Sequence, residues 1–337
     1  MFSSCFYGGV FTEDGYRAAI SGNEFGDVPK IFVSGSSPAI KQKIFDMTEA
    51  ELCEKNIDYS ELCAGEKICG IFCKNFLIFD SDFYEKNIEK SVEFLSEKFL
   101  KTDSVSEEKN KRLCMKKEKE ILRARRFLSA CKTVSDDMMR LEGAYLNHKK
   151  INAFTSELWQ RITLGMNGHI GRETRRFVTC LTADGNELNM EAFDTYCEKM
   201  FVIADRTGTC AREIVDSLRG YALGSGYDVI SCPCAVNGEL IEHLIIPELG
   251  FGVFTSKYYH RDDFENARKI YAKRFLYPSV ESIKNRIDFS VKTYRNLMDE
   301  VFASLEKIKK IEAELDEIIC KKTDMTKLKN ELFSVLF

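Results

Sequence analysis

The chain has 337 residues, of which 44% are apolar and 12% aromatic, so it is long enough for two domains with buried cores. Its 49 basic and 53 acidic residues leave a net charge of −4, which gives no overall positive field to attract nucleic acid or an anionic membrane. No apolar run reaches the roughly 18 residues that span a bilayer, and thirteen cysteines are scattered without an export pattern, so we expect a cytoplasmic protein with reduced thiols.

The first half predicts an α/β core over residues 1–83. A strand-like stretch ends in the turn signal Asp14-Gly15, and the apolar strand Ile31-Phe32-Val33 leads through a loop (residues 34–40) into a helix. Short strands follow, and strands that alternate with helices predict parallel pairing in a three-layer α/β sheet. Residues 84–168 are almost free of Pro and Gly and predict a long helical arm.

The second half repeats this order of elements at a shift of 170 residues. Phe11-Thr12-Glu13-Asp14-Gly15 returns as Leu181-Thr182-Ala183-Asp184-Gly185, and Ile31-Phe32-Val33 falls on Phe201-Val202-Ile203. We interpret the chain as a tandem duplication, with a second core over residues 169–262 and a second helical arm over residues 263–337. The alternative is a coincidence between two amphipathic α/β segments.

Apolar residues in the second arm recur at steps of three and four: Leu297, Val301, Leu305, Ile308, Ile311, Leu315 and Ile318. This spacing is typical of a coiled-coil seam, and equally of a helix that packs on the protein's own core.

The loop after the first strand of each half is the place where an α/β fold binds phosphate, because free backbone N–H groups and the helix dipole point at it. The P-loop pattern there is G-x-x-x-x-G-K-[ST], whose Lys neutralises the terminal phosphates and whose hydroxyl holds magnesium. The first loop reads Gly35-Ser36-Ser37-Pro38-Ala39-Ile40-Lys41-Gln42. Gly35 and Lys41 stand in register, whereas Ile40 replaces the second Gly and Gln42 the hydroxyl residue.

The second loop departs further from the pattern. It reads Asp205-Arg206-Thr207-Gly208-Thr209-Cys210-Ala211-Arg212, so the Lys is lost and a carboxylate would lie beside the phosphates. Arg206 and Arg212 are candidate phosphate contacts, since an Arg fork suits oxyanions.

A set of segments surrounds these loops: Gly8–Gly15, Phe201–Ile203 leading into Arg206–Thr209, Gly226–Val229, Cys232-Pro233 and His243–Gly250. Together they resemble an uncharacterised bacterial tandem P-loop ATPase-like family, with two P-loop NTPase-like domains in one chain. The resemblance implies ATP and Mg²⁺ as ligands and a Walker B-like Asp at the end of the next strand. Asp80 stands there in the first half and Thr255 in the second. It also points to His260, for which a nucleotide-facing role and a place in a surface loop are the alternatives.

Neither loop has the complete Gly-Lys-Ser/Thr ending, so two hypotheses remain. The first is a non-hydrolysing scaffold or regulatory protein whose helical arms contact a protein partner. The second is a nucleotide-binding protein or weak ATPase that uses the first loop. The candidate nucleotide-binding residues are Gly35, Ser36, Ser37, Lys41 and Asp80, with Arg206, Gly208 and Thr209 in the second loop. We favour the first hypothesis and assign no catalytic residue.

Two further patterns have simpler interpretations. The Lys- and Arg-rich stretch over residues 109–126 is interleaved with Glu, which favours a solvated helix over a nucleic-acid contact. The cysteines at 63, 69, 73, 232 and 234 lack the usual C-x₂-C spacing of a zinc site, so buried thiols are the favoured interpretation.

Overall fold

The structure is a computed structural model that describes residues 6–18, 27–65, 67–83, 91–101, 104–257 and 267–337. Within these ranges lie the strands β1 (Gly9–Thr12), β2 (Gly15–Ala18), β3 (Lys30–Ser34), β4 (Tyr59–Ala64), β5 (Lys67–Cys73), β6 (Leu77–Asp80), β7 (Ser91–Leu95), β8 (Glu173–Arg175), β9 (Thr179–Thr182), β10 (Gly185–Leu188), β11 (Lys199–Ala204), β12 (Val229–Pro233), β13 (Ile241–Ile246), β14 (Phe251–Ser256) and β15 (Arg268–Tyr271). The α-helices there are α1 (Pro38–Glu54), α2 (Ser104–Gly143), α3 (His148–Ile162), α4 (Glu191–Tyr196), α5 (Thr209–Gly224), α6 (Lys284–Cys320) and α7 (Met325–Leu336). Among the described residues, no helix is both long and apolar enough to cross a membrane.

The chain forms two compact α/β units that are not simply its two halves. Unit 1 consists of Met1–Arg126, Cys180–Glu187 and Glu300–Phe337, and unit 2 of Phe127–Thr179 and Leu188–Asp299. The stretches predicted as helical arms are mostly helical, but each begins with a strand of the neighbouring sheet, β7 in the first arm and β15 in the second. The predicted cores therefore end one strand too early, and α2 and α6 are each divided between the units.

Each unit is built on one mixed sheet, so the prediction of parallel sheets is wrong in part. In unit 1 the strand order is β4-β5-β6-β3-β7, in which β3 is parallel to β6 and β7 while β4, β5 and β6 run antiparallel. The antiparallel pairs arise because the connections between β4, β5 and β6 are far shorter than the dozen or so residues that a parallel crossover needs.

The sheet of unit 2 has the same strand order, with one strand added. Its order is β8-β12-β13-β14-β11-β15, in which β11 is parallel to β14 and β15 while β12, β13 and β14 run antiparallel. The added strand, β8, pairs in parallel with β12 at the edge. Strands β4, β5, β6, β3 and β7 therefore correspond to β12, β13, β14, β11 and β15 in both order and direction.

Two hairpins carry the repeated Thr-x-Asp-Gly sequence and share one turn structure. In β1–β2, the hydroxyl of Thr12 donates to the carbonyl of Gly15 (3.0 Å) and accepts from the backbone N–H of Asp14 (3.2 Å). In β9–β10, Thr182 makes the same two bonds at 3.2 and 3.3 Å. The predicted turn is therefore found at both places.

Each core is completed by helices that, in the sequence, follow the strands of the other unit's sheet. In unit 1, α7 and the end of α6 pack with α1, and the backbone N–H of Asp324 donates to the carbonyl of Phe99 (2.9 Å). In unit 2, α3 packs with α5, and the N–H of Asn147 donates to the carbonyl of Phe275 (2.8 Å).

The apolar residues of α6 lie on the protein's own core. Val301, Leu305, Ile308 and Leu315 are all buried. Their burial favours packing on the protein's own core over a coiled-coil seam as the reason for their spacing.

Candidate functional site

In unit 1, the loop between β3 and α1 makes a tight, fully bonded turn. Ser37 caps α1 by accepting a hydrogen bond from the N–H of Ile40 (3.2 Å), and Pro38 occupies the first helical turn. Gly35 has a φ of +153°, and a Cβ there would lie 2.0 Å from the hydroxyl oxygen of Ser96. Ser36 donates through its hydroxyl to the carboxylate of Glu97 (2.8 Å). The loop is thus held by the cap of α1 and by Ser96 and Glu97, which follow β7.

A carboxylate from α6 occupies the N-terminus of α1. Asp316 Oδ1 accepts from the hydroxyl of Ser37 (2.5 Å) and from the backbone N–H of Ala39 (3.0 Å). These donors are the groups that a P-loop would offer to a phosphate, and the helix dipole favours any anion there. Asp316 therefore takes the place of an exogenous anion.

Lys41 and Asp80, predicted as a phosphate and metal pair, are in direct contact. Lys41 is 2% exposed, and its Nζ lies 2.6 Å from Asp80 Oδ1 and 2.8 Å from Asp82 Oδ2. Asp80 is brought there by the parallel pairing of β6 with β3, in which it lies opposite Val33. Burial alone would lower the pKa of Lys41, but the two carboxylates outweigh it and raise that pKa. The lysine is therefore charged and neutralised within the protein.

In unit 2, the corresponding loop is closed by Asp205. This residue is 2% exposed, and its carboxylate accepts from the N–H of Thr207 (3.2 Å) and of Ala211 (2.8 Å). Gly208 precedes α5 with a φ of +82°, and a Cβ there would lie 2.5 Å from Cε of Lys257. The first turn of α5 therefore receives its negative charge from Asp205, which occupies the position of the first P-loop glycine.

A second buried carboxylate, that of Glu142 on α2, also reaches this loop. It accepts a hydrogen bond from the hydroxyl of Thr207, which in turn lies 2.7 Å from the hydroxyl of Thr209. Burial and the nearby charge of Asp205 raise the pKa of Glu142. Arg206, the predicted phosphate contact, instead pairs with Asp288 on α6 (2.5 Å).

The charges in unit 2 are arranged differently from those in unit 1. The cation is Lys257, directly after β14, and its Nζ lies 2.7 Å from the buried carboxylate of Glu242 on β13. Burial would lower the pKa of Lys257, but Glu242 outweighs it, so that pKa is raised. Ala211 has no side chain that could replace Lys41, so unit 2 keeps a buried ion pair in a different place.

Four charged residues that contact these loops or lie beside them were not predicted from the sequence: Asp316, Glu142, Lys257 and Glu242. Asp316 and Glu142 belong to helices far along the chain, and nothing in the loop sequences indicates them. Glu242 and His243 are adjacent polar residues in a strand that is otherwise apolar and buried along its whole length, and this is the signal that the sequence offers.

Under the alternative hypothesis, Asp80 would bind Mg²⁺ beside the first loop. Within the described parts of the chain, no group of three or more His, Cys, Asp or Glu side chains could hold a metal ion. Asp80 lines a cavity beside the first loop, but its carboxylate is already paired with Lys41, so the donor set does not fit Mg²⁺ there. His260 lies outside the described residues.

The basic stretch of α2 is divided between paired and exposed side chains. Lys117 lies 2.9 Å from Glu312, Arg123 lies 2.5 Å from Glu300, and Arg125 donates to the carbonyl of Glu13 (2.9 Å). Lys111, Lys116 and Lys119 are exposed.

Comparison with protein-family models, curated proteins and solved structures found no match to this chain.

Proposed function

We propose that this chain is a degenerate tandem P-loop ATPase-like protein that does not hydrolyse ATP and serves as a scaffold or regulatory protein in the cytoplasm. The observation that carries the proposal is that a carboxylate of the protein itself is bonded at the phosphate position of each unit. Asp316 binds the N-terminus of α1, and Asp205 binds that of α5. A triphosphate would meet negative charge at both places.

The shared order and direction of five strands in the two sheets, and the identical Thr-x-Asp-Gly turns, support an origin by duplication. The loop between the first parallel strand and its helix lies at the same position in both units. These features support a common P-loop-like ancestor whose phosphate loops have since lost their ligand.

The scaffold role is an inference from what the helices leave exposed. Most of the apolar side of α6 is buried within the protein, although Phe289 on α6 and Met115 on α2 are exposed. On α2, Lys111, Lys116 and Lys119 are exposed. We propose a protein partner that binds such charged helix faces.

The alternative is weak nucleotide binding at the first loop, and one observation favours keeping it: Lys41 and Asp80 line a cavity beside that loop. Against it, Lys41 is already paired with two carboxylates.

Calorimetric titration of the intact protein with ATP, with and without magnesium, tests the proposal. We expect no saturable binding, and ATP turnover no faster than that of Lys41→Ala. A circular dichroism spectrum must show that this variant is folded. Magnesium-dependent turnover that is lost in folded Lys41→Ala would overturn the proposal and identify an ATPase.

A further inference from the structure

Unit 1 contains a cavity of about 190 Å³ beside the β3–α1 loop. This is close to the roughly 150 Å³ of an apolar cavity that holds a benzene molecule. Much of its wall is apolar, and it is formed by side chains of β1, the β9–β10 hairpin and α6: Val10, Phe11, Leu181, Leu305 and Ile308. All the residues that line it belong to unit 1. A ligand with a body about as large as one aromatic ring fits this space.

The charged groups in the wall are paired, with one exception. Lys41 is paired with Asp80 and Asp82, and Lys309 lies 2.8 Å from Asp184. Glu312, the fourth of the five lining carboxylates, lies 2.9 Å from Lys117 and 3.4 Å from Lys67.

The exception is Glu187 on β10. Its Oε1 lies 2.8 Å from the hydroxyl oxygen of Thr182, whose one hydrogen is shared between this carboxylate and the carbonyl of Gly185. No cationic side chain in the described part of the chain pairs with Glu187. A carboxylate at a largely apolar cavity wall without a counter-charge favours a positively charged ligand.

A second polar group in the cavity also lacks a partner. The ring of Tyr16 lies edge-on between Phe11 and Phe83, with centroid distances of 5.0 and 5.1 Å. Tyr16 lines the cavity, and no hydrogen bond joins its hydroxyl to another described residue. Burial, and then the charges of Glu312 and Asp82, raise the pKa of this hydroxyl, so it stays neutral and its oxygen can accept a hydrogen bond.

We propose that this cavity binds a small organic cation that carries a primary ammonium group on an apolar body about the size of one aromatic ring. An ammonium group has three donors and no acceptor, which suits the carboxylate of Glu187 and the hydroxyl oxygen of Tyr16. An anion would instead meet five lining carboxylates against three lysines. The proposal therefore does not depend on the fate of the phosphate loops.

The test uses phenethylamine as the probe, with phenethyl alcohol as its neutral analogue and hydrocinnamate as its anionic one. In calorimetric titrations of the intact protein, we expect saturable one-to-one binding of the amine and at least about tenfold weaker binding of both analogues, because a hydrogen bond to a charged group is lost. Equal affinity for the alcohol, or no saturable binding of the amine, overturns the proposal. This comparison uses only the wild-type protein.

Variants then locate the ammonium group. We expect Glu187→Gln to weaken amine binding about tenfold and Tyr16→Phe about threefold. Asp14→Asn is the matched control, because it removes an exposed carboxylate of the other Thr-x-Asp-Gly turn that is paired with Arg17 and does not line the cavity, and it should leave affinity unchanged. A loss in Asp14→Asn as large as that in Glu187→Gln would mean that surface charge alone attracts the amine, and would overturn the assignment. ATP titrations are separate, so failure here leaves the proposed function standing.

Discussion

Replacement of Asp316 by alanine should destabilise unit 1 by about 2 kcal/mol, because the carboxylate holds two donors at the N-terminus of α1. A hydrogen bond to a charged group contributes about 1.5–3 kcal/mol, and an anion at a helix N-terminus adds about 0.3–1 kcal/mol. The loss falls toward the lower end of this range because Asp316 and Ala39 are only partly buried and water can replace the carboxylate. Ser37 keeps its capping bond to Ile40.

Urea unfolding followed by circular dichroism measures this loss. The matched control is Glu317→Ala, which removes the next carboxylate of α6, an exposed group paired only with Lys321 one turn away. We expect the control to unfold at the wild-type urea concentration. Sulfate should restore part of the stability of Asp316→Ala, because an anion can take the vacated place. Identical midpoints for Asp316→Ala and Glu317→Ala would refute the reasoning.

Three further predictions concern the buried charges and the loop glycine. Lys41→Met should lower the free energy of unfolding by about 3–5 kcal/mol, because it leaves the buried carboxylate of Asp80 unpaired. Adding Asp80→Asn should restore much of that stability. A wild-type urea midpoint for the single variant would contradict this prediction. Burial, and then a neighbouring carboxylate, raise the pKa of Glu142 above its ordinary 4.5, so its contribution to stability is present at lower pH and is lost as pH rises through the raised value. Glu142→Gln should therefore flatten the pH dependence of the urea midpoint and raise that midpoint at neutral pH, and an unchanged slope would be the contrary result. Gly208→Ala should destabilise the protein by about 1–2 kcal/mol in thermal unfolding, because Gly208 has a positive φ. Gly220→Ala should stabilise it by up to about 1 kcal/mol, because Gly220 lies in the exposed middle of α5 with open space around it. A change of the same sign in both variants would be evidence against the left-handed turn at Gly208.

The sequence predicts the local features well because they depend on neighbouring residues. The turn at Asp14-Gly15, the strand that leads into the first loop and the start of α1 all follow from turn residues, apolar patterning and capping. Lys41 and Asp80 were predicted to lie at the same loop, with a phosphate role and a metal role, but their direct ion pair was not predicted.

The sequence placed Asp205 at the second loop, but it could not predict the carboxylates that reach the two loops from distant helices. Asp316 reaches Ser37 across 279 residues of sequence, and Glu142 reaches Thr207 across 65. Such contacts depend on where a helix docks, which local propensity does not encode. The antiparallel strands were missed for a different reason, because alternating strands and helices suggested crossovers where the chain has only short connections.

The helices that cover each unit's core are made at different times relative to that unit's strands during synthesis on the ribosome. The strands of unit 1 leave the ribosome early, but α7 and the end of α6, which cover α1, are made only with residues 300–337. Until then the apolar side of α1, with Ile40 and Ile44, stays without its cover. Unit 2 has the opposite order, since α3 is already made when its strands emerge. We therefore expect unit 2 to fold first during translation and the nascent unit 1 to be the part that needs a chaperone.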